Sequence, residues 1–499
     1  MSASKATAAN RFGLGAKPGE LEGSGDGREI LLAQLREPPP LDEFHGLPSS
    51  AVTMTREYEQ LSAARAGRVK AAPPAAMGDM QPGSSMSAAD AMASVRPEGK
   101  AVDVDQAGER AEQMRRDLRR RQLDEFAARY RHASRTDRPF VERLTQFWSN
   151  HFAVSIDKGD TRLYAAAMER EAIRPHVLGR FEDMLLAVES HPAMLRYLDN
   201  SISIGNDSAA AQRAELMRRE RRGLNENLAR EILELHTLGV DGGYRQDDVL
   251  ELARAITGWS TFNSREAKAA GDRIPDHAFT FRKASHEPGE RRVLGRRYAE
   301  GGVEQGRAVL ADLAKHPSTA HHLSFKLARH FVADQPPPAL VKRMAQAYLS
   351  HDGDLRALYR ALVESQESWA DNARKFKTPN DFVVSALRAG ELPVGNDARA
   401  LINLLSSLGQ PVFTPRSPAG FPDTAADWSS PDGLWKRIQA AQMLAARIDP
   451  KASAPYQCAV SVLGNAAVDG DFAIGLRRAG SLRDGYALLF ASPAFQWRI

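Results

Sequence analysis

The sequence predicts an all-α protein, a large multi-helix globule of orthogonal-bundle character with little or no β structure. Three observations carry that prediction. Apolar residues recur at helical spacing in segment after segment, helix-start signals stand where those segments begin, and alternation with a period of two is rare. The helical windows are 139–152, 162–178, 181–188, 192–199, 207–238, 246–258, 302–314, 318–332, 338–350, 354–364, 379–389, 397–407, 431–447 and 480–490. The start signals are Asp137 before Pro139, His191 before Pro192, Ser318 before Thr319, Asp354 after Gly353, and Pro431.

From the N-terminus, residues 1–65 read as two short helices, Ser2 to Asn10 and Arg28 to Leu35, separated by a glycine- and proline-rich passage. This unit is expected to pack on the main domain. Residues 66–105 are rich in Ala, Pro, Gly, Ser and Met and lack large aliphatics, so they read as a linker or insertion that buries too little apolar surface to offset its ordering entropy. A main all-helical domain follows over 106–499. It opens with a strongly charged helix from Asp105 to Arg131, in which RRDLRRR at 115–121 reads as a solvated face or an anion-binding surface. RRVLGRRY at 291–298 is the best short-strand or hairpin candidate, and no fixed-period repeat suggests a solenoid.

Composition narrows the function. A net charge of +4 on 499 residues gives no electrostatic case for nucleic acid, so none is expected as a partner. One cysteine, Cys458, excludes a disulfide framework and any site needing two thiolates from one chain. No window approaches the roughly 18 apolar residues of a membrane span. MSASKATAANRFGLGAKPGE has neither an apolar signal core nor a twin arginine, so a cytoplasmic location is expected, with export alongside a partner as the alternative.

The chemistry-bearing candidates are polar residues within apolar stripes. On a wheel of about 100° per residue, Leu224, Leu228, Leu235 and Leu238 share one direction and Glu231 stands among them. Asn227 and Glu234 flank Glu231, while His236 falls on a different face. In 137–152, His151 joins the stripe of Phe140, Leu144 and Phe147. In 318–331, His330 lies within the face of Leu323, Leu327 and Phe331, with Lys326 on its shoulder. Two imidazoles and a carboxylate facing inward from three helices are the ingredients of a metal or acid–base site. The alternative for each is a hydrogen-bonded core histidine or half of a buried ion pair. The expected site comprises Glu231, His151, His330, Glu234, Arg230 and Asn227, with a divalent metal on His151, Glu231 and His330.

Other signatures are missing. Glu231 is followed at i+3 by Glu234 rather than histidine, so the di-iron pattern is not met. GVDGG lacks EF-hand spacing, and RFGLGAKPGE lacks the Lys-Ser/Thr of a phosphate loop and reads as tight turns. Serine-hydrolase, zincin and thioredoxin motifs do not occur. Phe421, in the SPAGFPDT loop at 417–424, could line a pocket or plug the core. Asp199-Asn200 reads as a helix cap with a site role as the alternative.

AANRFGLGAKPGE at 8–20, RLTQFWSNHFAVS at 143–155, HPAMLRYLDN at 191–200, LNENLAREILELHTLGVDGGYRQDDV at 224–249 and ARAITGWS at 253–260 follow one another along the chain. After them come the HEPGE-to-VLG passage at 286–295, HPSTAHHLSFKLARHFVAD at 316–334, DGDLRALYRAL at 352–362 and SPAGFPDTAADW at 417–428. Together they resemble the bacterial family known as domain of unknown function 1800, over all but about 66–105. His322 is one departure, standing where members often have an aromatic or aliphatic residue. The resemblance implies an all-α fold without an assigned reaction. It also implies a possible partner, since genes of the family often neighbour domain of unknown function 1501, which resembles the alkaline-phosphatase and sulfatase superfamily and often carries twin-arginine signals. Two functions therefore compete: a metal-dependent or acid–base enzyme with a His/Glu pocket, and a non-catalytic scaffold, chaperone or export partner of such a neighbour.

Overall fold

A computed structural model of the chain describes residues 4–38, 40–59, 101–217, 223–263, 266 and 277–498. Helices dominate, as the periodicity predicts. Those that position the site are α1 (Ala101–Arg135), α2 (Pro139–His151), α3 (Phe181–Glu189), α4 (Asn227–Glu231, continuing as a π-turn over Ile232–His236), α5 (Pro317–Phe331), α6 (Pro338–Ser350), α7 (Leu355–Glu364), α8 (Pro379–Ala389), α9 (Pro431–Ala445) and α10 (Leu482–Ala491). Among the described residues the strands form three two-stranded pairs. The expected hairpin is one of them: Arg291–Val293 runs antiparallel to Arg296–Tyr298. Leu294 and Gly295 turn it with φ of 49° and 78°, the double positive φ of a two-residue hairpin turn.

Start signals act with one refinement. His191 and His316 are themselves caps: each imidazole Nδ1 accepts the backbone N–H two residues on, from Ala193 and Ser318. The 318–332 helix accordingly begins at Pro317, with Ser318 inside it. The expected insertion at 66–105 lies outside the described residues, except that α1 begins at Ala101.

Two apolar cores share the chain. The first gathers α2, α3, the α4 π-turn and α5 to α7. In it Phe12 stacks on Phe331 at 5.9 Å and meets Phe140 at 6.0 Å. α7 shows why such helices fold inward: Leu355, Leu358, Tyr359, Leu362 and Val363 make one buried stripe. The second core joins Phe126 and Tyr130 of α1 to α8, α9 and α10. The opening RFGLG segment does more than turn. Gly13 and Gly15 carbonyls accept from the buried guanidinium Nε atoms of Arg143 and Arg388, which ties it to α2 and α8.

α2 is buried on nearly every side, so Glu142, Arg143 and His151 must each find a partner inside the protein. Near the seam between the cores, where α2 and α5 face the start of α8 and the 419–423 loop, lies a cavity of about 220 Å³.

Candidate functional site

His151 and His330, expected to face inward, both line this cavity. His330 Nδ1 donates to Asp423 Oδ2 at 2.9 Å, while its Nε2 is buried without a hydrogen-bond partner. Burial lowers the His330 pKa against the pull of Asp423, and Arg498 and Arg143 reinforce the lowering. The neutral ring therefore keeps a lone pair on Nε2. Burial works against ionisation of Asp423 too, but His330, Lys375 and Arg498 outweigh it and hold the carboxyl below its usual range.

His151 Nε2 donates to the His236 carbonyl at 3.1 Å, which leaves Nδ1 as a buried, unpartnered acceptor. Burial, then the charge of Lys326 and the neighbouring His236 and His322, push its pKa well below the ordinary histidine value. His322 is 6.2 Å away between ring centroids and donates through Nε2 to the Leu235 carbonyl. Two successive carbonyls at the end of the π-turn thus fix the tautomers of two imidazoles.

The loop bearing Asp423 is clasped to α2. Asn150 Nδ2 donates to the Phe421 carbonyl at 2.9 Å, and the Phe421 N–H donates back to Asn150 Oδ1 at 2.8 Å. Gly420 makes this approach possible: its φ is 83°, and a Cβ there would lie 2.4 Å from the Asn150 carbonyl oxygen. Phe421 lines the cavity rather than plugging the core.

Behind the cavity runs a wall of buried charge. The strands Lys375–Phe376 and Trp497–Arg498 pair antiparallel with Lys375 opposite Arg498, a like-charge pairing that needs acids nearby. Lys375 ion-pairs with Asp334. Arg498 lies 3.5 Å from Asp381 Oδ2 and 3.8 Å from Asp423 Oδ1. Arg143 meets Asp381 at 3.3 Å. Burial opposes the charge on Asp381, yet Arg143 and Arg498 hold its carboxyl far below the usual value. Lys377 is 4.1 Å over the Phe495 ring with no hydrogen-bond partner, and burial pulls its ammonium down to about 7.

The other expected site residues lie elsewhere. Glu231, Glu234, Arg230 and Asn227 do not line this cavity. Glu231 is half-buried, not centred on a dry face, and burial, opposed by His236 and reinforced by Glu234, raises its pKa. Arg230 pairs with Glu226 at 3.0 Å and Glu234 at 3.5 Å, while Asn227 is exposed. The physical reason is that the helix is shorter than the 224–239 window, with Leu224 and Leu238 outside it, and ends in a π-turn. Its wider turns depart from the even 100° steps of an α-helical wheel. His236, assigned to another face, is fully buried with Nδ1 2.7 Å from Glu189 Oε1.

A divalent metal on His151, Glu231 and His330 is therefore poorly matched by these positions. Among the described residues no group of three or more His, Cys, Asp and Glu side chains is placed to hold a metal ion. A larger cavity, about 410 Å³, has Ser50, His191 and Glu171 in its lining. These do not form a nucleophilic triad. Ser50 Oγ and Glu171 both approach His191 Nε2, at 3.1 and 3.3 Å, and Nδ1 is occupied in capping.

Sequence reasoning missed Asp423, Asp381, Arg498 and Lys377. The available signal was weak: Asp423 stands in the SPAGFPDT loop, two residues beyond the aromatic named as a possible pocket wall.

Among the described residues no helix is long and apolar enough to cross a membrane. No curated protein and no solved structure matches the chain. Residues 7–497 match the family described as "Protein of unknown function (DUF1800)". The run of motifs and this match over nearly the whole chain agree, and the chain belongs to the DUF1800 family.

Proposed function

We propose that the protein is an acid–base enzyme whose small-molecule site is the cavity between α2, α5 and the 419–423 loop. One observation carries the reading. Two imidazoles from different helices line one cavity, each with one ring nitrogen committed to a fixed acceptor and the other left without a partner. In this reading His330 Nε2 takes and returns a proton, Asp423 orients the ring and stabilises its charged form, and His151 Nδ1 accepts a hydrogen bond from the ligand. Glu231 and Glu234 have no part in it.

The test is turnover of a panel of small carboxylates, hydroxy acids and phosphate esters by the wild-type chain and by His330→Gln. General acid–base groups contribute about 10²–10⁴-fold, so the variant should lose at least about 100-fold. Turnover untouched by His330→Gln, or no turnover by the wild type, defeats the reading.

The scaffold reading has its own support. Leu434, Trp435 and Ile438 leave a short apolar strip of α9 exposed, Trp435 by 60%. Co-purification with a DUF1501-type protein, lost in Trp435→Asp, would favour it. Failure to co-purify would count against it.

A further inference from the structure

The cations around the proposed site outnumber the acids that could neutralise them. Arg143, Lys326 and Arg329 line the cavity, and Lys375, Lys377 and Arg498 stand behind it. Asp334, Asp381 and Asp423 are the carboxylates that face them. Six basic side chains thus meet three acids, Lys377 being only partly protonated near pH 7, and the two imidazoles of the cavity add no negative charge. Among the described residues no hydrogen bond or ion pair engages the Lys326 ammonium. Arg143 Nη1 and Nη2, all three guanidinium nitrogens of Arg498, and Lys377 Nζ are buried without hydrogen-bond partners. Arg143 and Arg498 share Asp381 as an ion-pair partner, with Asp423 also beside Arg498, and buried positive charge in excess of its acids is unfavourable unless something else neutralises it.

Resting on the cavity's role as a small-molecule site, we infer that its ligand is a small oxyanion carrying two negative charges, of the phosphate or phosphate-monoester class. A monocarboxylate would leave most of the excess uncompensated. An uncharged ligand would leave all of it. The cavity, at about 220 Å³, also limits the ligand to a small molecule. Lys326 is placed to meet the anion as a point charge, and Arg143 and Arg498 supply the field behind it.

The experiment is calorimetric titration of the full chain with inorganic phosphate, sulfate and acetate at low ionic strength. Wild-type protein and the variants Lys326→Met, His330→Gln and Lys451→Met, an exposed lysine far along the chain, are compared. Phosphate should bind, acetate should bind at least about tenfold more weakly, and Lys326→Met should weaken phosphate by about tenfold or more. Lys451→Met should leave binding unchanged. Three results overturn the inference: no binding of phosphate, equal binding of acetate, or full binding by Lys326→Met. The two readings fail separately. Phosphate binding retained in His330→Gln, with turnover also retained, removes the proton role and keeps the oxyanion. His330-dependent turnover without phosphate binding does the reverse.

Discussion

Adjacent residues of α2 enter two buried charge clusters that behave differently. Glu142 meets Arg174 through both carboxylate oxygens. Arg174 also reaches Glu169 at 2.7 Å, and Glu169 takes Arg129 at 2.8 Å. Two guanidinium groups thus answer two carboxylates, with His132 3.4 Å from Glu142 and Phe44 under Arg174. Arg143, one residue on, enters the opposite situation, in which cations exceed acids and several donors have no acceptor. Both clusters are buried and both are ionic, so burial and charge alone do not mark a site. What differs is closure. The Glu142 cluster balances its charge from the chain, although Arg174 Nε and His132 Nε2 stay without hydrogen-bond partners, and the Arg143 cluster opens on a cavity with cations in excess.

The comparison breaks most directly at its balanced side. Glu142→Gln leaves Arg174 buried with half its partners and should cost about 3–5 kcal/mol in urea-unfolding free energy. Lys377→Met, on the other side, removes a buried ammonium without a hydrogen-bond partner and should be neutral or stabilising, by about 1 kcal/mol or more. Equal losses in the two variants would erase the distinction. The sign with pH sharpens it. Burial sets the folded Lys377 pKa at about 7, below its unfolded value, so the unfolded chain holds more protons above pH 7. Stability should therefore rise from pH 7 toward 10, and Lys377→Met should flatten that rise.

A smaller effect concerns His322, whose pKa burial and then Lys326 lower to about 4. The unfolded histidine takes its proton near pH 6.5 and the folded one does not until about 4. Stability should fall through that window by about 3 kcal/mol, a loss that His322→Gln removes while keeping a donor for the Leu235 carbonyl. The smallest effect belongs to Glu231→Gln. It should change stability by no more than about 0.5 kcal/mol and leave phosphate binding intact, because the side chain is half-exposed and outside the cavity. A large loss of binding there would return Glu231 to the site.

Much of this was legible in the residues. A straight α-helix lies under His151 and under His330, so the wheel placed both inward, and the shared face of Leu323, Leu327 and Phe331 located His330 correctly. The same wheel failed on 224–239 because Leu224 and Leu238 lie outside the helix and the π-turn at Ile232–His236 departs from α-helical spacing, which periodicity does not reveal. It put Glu231 at the centre and His236 aside. The acids were hidden for another reason. Asp423 is 93 residues from His330 and sits on a loop, where no periodicity operates. The cation excess depends on Lys375, Lys377 and Arg498 being brought together by a strand pair joining distant parts of the chain.

The π-turn also sets a constraint on how this chain can vary. Its last two carbonyls hold His322 and His151, so its reading frame in space is shared with two other helices. Loss of one residue between 232 and 236 would remove the extra residue that the π-turn accommodates and change which carbonyls end the segment. The acceptors of His322 and His151 and the Glu189–His236 contact all lie in this segment, so one deletion disturbs them together, although no cavity-lining residue has changed. Length at this point is therefore as much a determinant of the site as side-chain identity, and deletions here should be tolerated far less than substitutions of Glu231 or Asn227.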